Sequence, residues 1–167
     1  MRVDLDTTIR ELARRVLGYC ILRTGDPGLA EDVAQESLAA LVSRWRRHGP
    51  PDAPDAFVFA IARRRAARAL LRQRLWLSLD RARAQPSDKP DVEASLIERS
   101  ERDRVIAALS RLPRRDRDLL LLLTAGELPL NQAAGVLGIS LSAAKMRAHR
   151  ARARLRALLE DDRVSPR

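Results

Sequence analysis

Apolar side chains recur along this chain at helical spacing from end to end. Ile9, Leu12, Ala13, Val16, Leu17 and Cys20 follow the i, i+3, i+4 rhythm of an amphipathic helix. Thr7 or Thr8 is placed to cap it, and the GDPG segment Gly25–Gly28 to end it. The pattern predicts a second helix from about Leu29 to Arg47, with Ala30, Val33, Ala34, Ser37, Leu38, Leu41 and Trp45 on one side. Its other side presents Asp32, Gln35 and Glu36, again spaced i, i+3, i+4. Three prolines and a glycine between His48 and Asp55 break the pattern. A third helix is expected from near Asp55 to about Leu75.

The chain changes character at Ser78–Ser95, where Pro86, Pro90 and small polar residues read as a flexible linker. The expected architecture is therefore all-α, with two small helical domains (1–77 and 96–162), a linker (78–95) and a tail (163–167). The second domain opens with a helix carrying Ile97, Val105, Ile106, Leu109 and Leu112, stopped by Pro113. Arg114–Thr124 follows, and its five consecutive leucines, Leu119–Leu123, demand burial. Leu130–Leu137, a turn at Gly138-Ile139-Ser140 and a long helix from Leu141 to about Leu159 have the proportions of a helix-turn-helix. In the long helix Ala144, Ala148, Ala151, Leu155 and Leu158 form one apolar stripe. Ser142, Ala143, Met146 and Arg150 lie opposite, flanked by Lys145, Arg147 and His149.

Charge gives the pattern a direction. The 167 residues carry 32 basic against 22 acidic side chains, a net charge of +10, and only Lys89 and Lys145 among the basic ones are lysines. Two runs contain no acid: Arg63, Arg64, Arg65, Arg68, Arg72 and Arg74, and Lys145, Arg147, Arg150, Arg152, Arg154 and Arg156. Arginine's planar fork binds phosphate and guanine edges bidentately, so two such runs point to nucleic acid. All five aromatic residues (Tyr19, Trp45, Phe57, Phe59, Trp76) lie in the first half. Unpaired bases are bound by stacking on aromatic rings and duplex is not, which makes the second half the better duplex binder.

Other chemistries are poorly served. One cysteine, Cys20, cannot make a disulfide framework, and with only His48 and His149 it makes no metal cluster. No nucleophile–base constellation or glycine-rich phosphate loop is present, so no catalysis and no cofactor are expected. The longest apolar run, Ala56–Ala62, falls far short of the ~18 residues of a membrane span. The first residues, MRVDLDTT, lack the apolar core of a signal peptide, so a cytoplasmic location is expected.

Leu112–Leu159, LPRRDRDLLLLLTAGELPLNQAAGVLGISLSAAKMRAHRARARLRALL, resembles region 4 of bacterial sigma factors. It also resembles, less closely, the helix-turn-helix of LuxR-type response regulators. The first half separates the two. Asp26–Trp45, DPGLAEDVAQESLAALVSRW, looks like region 2.2, and Phe57–Arg74, FVFAIARRRAARALLRQR, looks like regions 2.3–2.4. This layout resembles the extracytoplasmic-function (ECF) sigma factors of the sigma-70 family. The resemblance implies a factor that brings core RNA polymerase, through its β′ and β subunits, to promoter DNA. It assigns Asp32, Gln35 and Glu36 to the β′ coiled coil, and the loop His48–Asp55 to capture of a flipped −10 base. Arg63, Arg64, Arg65 and Arg68 fall to the −10 DNA; Ser142, Ala143, Met146, Arg147 and Arg150 fall to the −35 duplex. Beyond the reach of bases, Arg152, Arg154 and Arg156 would clamp phosphates, while Lys145 flanks the reading face. An anti-sigma protein is implied as a further partner.

The chain departs from the family where Phe57, Arg64 and Arg68 replace the usual Trp, Asn and Asp. Ser142-Ala143-Ala144 replaces Gly-Thr-Val, and Met146 a serine. Promoter sequences therefore do not transfer from relatives. A rival from another class is a stand-alone regulator binding duplex operators through its second half and dimerising through its first.

Overall fold

A computed structural model describes residues 4–83 and 101–164. Among these residues there are seven helices and no strand: α1 (Leu5–Thr24), α2 (Pro27–His48), α3 (Pro54–Arg83), α4 (Glu101–Arg111), α5 (Arg114–Thr124), α6 (Leu130–Leu137) and α7 (Leu141–Val164). The helices α1, α2 and α3 pack on one another, as do α4 to α7 around α5 and α7.

Most boundaries follow from punctuation in the sequence. The N-cap of α1 is Asp4, not a threonine: its carboxylate accepts the Thr7 backbone N–H at 3.0 Å, while Thr8 is buried one turn into the helix. A carboxylate in that position sits at the positive end of the helix dipole, and the Thr7 hydrogen bonds hold the Asp4 carboxyl below its ordinary range. Asp26 caps α2 in the same way, accepting from Leu29 N at 3.0 Å, so α2 starts at Pro27, earlier than expected. The break between α2 and α3 shrinks to residues 49–53.

The third helix differs most from expectation. It continues eight residues past Leu75 to Arg83, through the first part of the expected linker. Leu75, Trp76 and Leu77 are exposed where the extension begins, so the apolar pattern shows no buried face at that point. Ile97 and the rest of residues 84–100 lie outside the described residues.

Buried side chains form one contiguous cluster across both halves, running from Leu12, Val16 and Tyr19 through Leu119–Leu122 to Ala148 and Ala151. Tyr19 and Phe59 meet edge-on at its centre, centroids 5.5 Å apart at 82°. The two halves thus pack directly on each other, α1 against α5 and α3 against α6.

Candidate nucleic-acid interface

On α2, Ala30, Val33, Ala34, Ser37 and Leu41 are buried, and Asp32, Gln35 and Glu36 stand exposed on the opposite side. Ser37 is accommodated in the core because its hydroxyl donates to Val33 O at 2.6 Å. Glu36 pairs with Arg65 across the groove between α2 and α3. Asp32, Val33, Glu36, Arg65 and Arg68 line that groove. The result is an acidic and amide-bearing ridge beside a cationic one. Both are open to solvent, where a single ion pair contributes at most ~1 kcal/mol and yields readily to a partner.

The four α3 arginines expected at the −10 DNA do not make one surface. Val58, Phe59, Ala62, Ala66 and Ala69 fill the buried side of the helix, and the cations radiate from the rest. Arg64 and Arg68 are exposed, and Arg65 turns to Glu36. Arg63 turns to the other half of the molecule, its Nε 3.2 Å from Asp118 Oδ2.

The helix-turn-helix is built as its sequence dictates. Gly138 adopts φ +65°, and its own N–H and that of Ile139 donate to Gly135 O and Ala134 O, which closes the end of α6. Ser140 then caps α7, its hydroxyl accepting Ala143 N–H at 3.2 Å. Ala144, Ala148 and Ala151 are buried, and their small side chains let α7 lie close to its neighbours. Ser142, Ala143, Lys145, Met146, Arg150, Arg152 and Arg154 are exposed, with Met146 at 61 %. This outer face has no acid along it and suits a major groove with phosphates on either side. Arg147 is only partly exposed. Its Nε lies 3.9 Å from Asp116 Oδ1, and Arg154 Nη1 donates to Asp116 Oδ2 at 2.5 Å.

Asp116 and Asp118 are functional candidates that the sequence pattern left unmarked, together with Arg15 and Arg23. Both acids are buried on α5. Asp118 lies between Arg23 Nε at 2.9 Å and Arg63 Nε, although the Arg23 N–H does not point along a hydrogen-bond line. Arg15 donates to Asp55 at 2.7 Å and to the Gly126 carbonyl at 3.2 and 2.5 Å, with its guanidinium over the Phe59 ring. Gly126 is required there, since a Cβ would stand 2.6 Å from Leu122 O. The signal was the leucine run: a helix buried on every side at residues 119–122 also encloses the carboxylates one turn earlier. Burial, and after it the charge of Asp118, pushes the Tyr19 phenol above its usual range. Burial pushes the Cys20 thiol up to about 12. No group of three or more His, Cys, Asp or Glu among the described residues is placed to hold a metal ion.

Residues 8–87 match the model of sigma-70 region 2, and residues 102–155 that of sigma-70 region 4. A curated relative, the ECF RNA polymerase sigma factor ShbA of Streptomyces griseus subsp. griseus, is 34% identical and covers 94% of this chain and 86% of its own. The chain belongs to the ECF branch of the sigma-70 family. As an ECF sigma factor it directs promoter recognition and transcription initiation by RNA polymerase. The region 2 match sets aside the operator-binding regulator, in which the first half would serve only to dimerise. Two solved structures share the fold. The sigma factor RpoE of Bartonella quintana, in complex with the anti-sigma factor NepR, superposes with a TM-score of 0.68 at 21% identity, covering 94% of this chain and 97% of its own. CnrH, in complex with the cytosolic domain of CnrY, does so at 0.64 and 25%, covering 95% of this chain and 88% of its own.

Proposed function

We propose a division of labour within the sigma factor. Residues 1–77 dock on core polymerase through Asp32, Gln35 and Glu36, toward the β′ coiled coil, and hold the opened −10 strand on Arg64, Arg65 and Arg68, joined by Arg63. Residues 96–162 bind the −35 duplex: Ser142, Ala143, Met146 and Arg150 face base edges, while Lys145, Arg147, Arg152 and Arg154 hold phosphates. The chain performs no chemistry of its own, since polymerisation belongs to the core, and it works in the cytoplasm. No helix among the described residues is long and apolar enough to cross a membrane.

One observation supports this reading above the rest. A single chain carries an exposed acidic ridge on α2 and an acid-free outer face on α7. A protein that bound only DNA would gain nothing from displaying carboxylates on a domain with net positive charge. An anti-sigma protein that covers both halves is the natural regulator, as the complexes with NepR and CnrY suggest.

The docking assignment is tested by gel filtration of core polymerase with the Asp32→Arg, Glu36→Arg double variant. Both side chains are exposed, so the variant keeps its helix content and loses co-elution with core. Undiminished co-elution overturns the assignment.

A further inference from the structure

Lys145, Arg147, Arg150, Arg152, Arg154 and Arg156 follow one another on α7 with no acid among them. A helix so charged attracts any duplex, since each phosphate it neutralises releases counterions whatever the base sequence. The structure brings a carboxylate to it from a neighbouring helix. Asp116 lies in the first turn of α5, where the Pro113 carbonyl accepts its backbone N–H at 2.9 Å. The packing of α5 on α7 leaves Asp116 only 8% exposed. Its Oδ2 accepts from Arg154 Nη1 at 2.5 Å, and its Oδ1 stands 3.9 Å from Arg147 Nε.

The two flanks of the outer face are therefore unequal. Arg147 and Arg154, two helical turns apart, share the side of α7 that lies between the buried alanines and the outer face. With Asp116 they sum to one net positive charge, two guanidiniums less one carboxylate. On the opposite flank Lys145, Arg152 and Arg156 line a groove with Leu123 and Leu130 and no acid, and keep all three charges. Arg147 is held back from solvent, its side chain 21% exposed, whereas Arg154 at 56% keeps room to meet a phosphate.

We propose that Asp116 is a resident counter-ion of the recognition helix, an inference that rests on the assignment of α7 to duplex DNA made above. It lets the Arg147–Arg154 flank neutralise one phosphate where the two guanidiniums alone would neutralise two. Asp116 is thus a positioning residue: it sets the strength and salt dependence of the grip on DNA and leaves base reading to Ser142, Met146 and Arg150. A factor that passes over many non-promoter sites leaves each one sooner when this sequence-blind grip is weak.

The counter-ion is tested by the salt dependence of binding between the full chain and a labelled duplex of mixed sequence, followed by fluorescence anisotropy from about 50 to 200 mM salt. Asp116→Asn keeps the shape of the side chain and removes its charge. It is expected to steepen the fall of log K with log[salt] by about 0.9, the share of one phosphate, and to tighten binding about fivefold to tenfold at 0.1 M salt. Glu31→Gln, an equal change of net charge on the exposed side of α2, is expected to leave the slope unaltered. An unchanged slope or weaker binding in Asp116→Asn overturns the counter-ion, and so does equal steepening in Glu31→Gln. Should Asp116→Asn lower the helix content, Asp116→Ser is measured in its place with the same expectation, and an unchanged slope there overturns the counter-ion equally. Arg152→Ala, on the opposite flank, tests the reading beneath and is expected to flatten the slope by about 0.9. A flattened slope in Arg152→Ala with none of the steepening in Asp116→Asn overturns the counter-ion alone. Slopes unchanged in both overturn the assignment of α7 to duplex DNA with it.

Discussion

Arg147 and Arg150 stand less than one turn apart on α7 yet face different surroundings. Arg150 is exposed on the outer face, and Arg147 leans toward Asp116 on α5. Arg150→Ala is therefore expected to cost about 1–3 kcal/mol at a −35 duplex and to relax preference at the contacted base. Arg147→Ala, whose guanidinium is shared with a carboxylate, weakens binding less and evenly across sequences. Fluorescence anisotropy with labelled duplexes at one fixed salt concentration distinguishes them, and equal losses contradict the difference in environment. The two groups with raised pKa make a prediction of their own. Folded Cys20 and Tyr19 keep their protons at pH values where the unfolded chain, with a thiol near ~8.5 and a phenol near ~10, releases them. Stability from these groups is thus complete below pH ~8.5 and falls as pH rises toward 12, because the folded state then binds more protons than the unfolded one. The urea midpoint should be lower at pH 10.5 than at pH 7.5, and a higher one contradicts the burial of both groups.

At the scale of elements, α5, α6 and the turn into α7 were legible almost to the residue. Pro113, Gly126, Pro129, Gly138 and Ser140 each impose a backbone geometry that ends or begins a helix. The end of α3 was not legible. From Leu71 to Ser78 the helix is exposed, so its apolar positions there carry no periodic signal, and the next breaker, Pro86, comes late. The start of α1 was misplaced because Asp4 and Thr7 are both good caps and only the geometry chooses between them. The alanine stripe of α7 is the element most sensitive to size. Ala148→Leu places extra methyl groups where 4% of the surface is exposed and should destabilise the protein by about 1–3 kcal/mol. Met146→Leu on the outer face should be neutral. Thermal unfolding of the two variants checks this, and equal melting temperatures would contradict the assigned faces. Removing the α2 cap with Asp26→Ala should cost about 1 kcal/mol in the same assay.

For the whole molecule, the polarity pattern revealed two helical halves and which surfaces carry charge, but not how the halves meet. Arg23, Arg63 and Asp118 are 40 and 55 positions apart along the chain, and in the RRDRD stretch Asp118 looks like one more solvated charge. Only the packing of α1 and α3 on α5 and α6 brings them together. The same packing divides the expected −10 cluster, sending Arg63 to Asp118 and Arg65 to Glu36. The +10 net charge then acts as a general attraction to polyanions, steep in salt, on which specific promoter choice is superimposed. That choice is read most directly by run-off transcription from a genomic fragment library with purified core polymerase and the purified chain. Discrete start sites absent from reactions with core alone are the predicted result, and a reaction that yields none contradicts the account at its root.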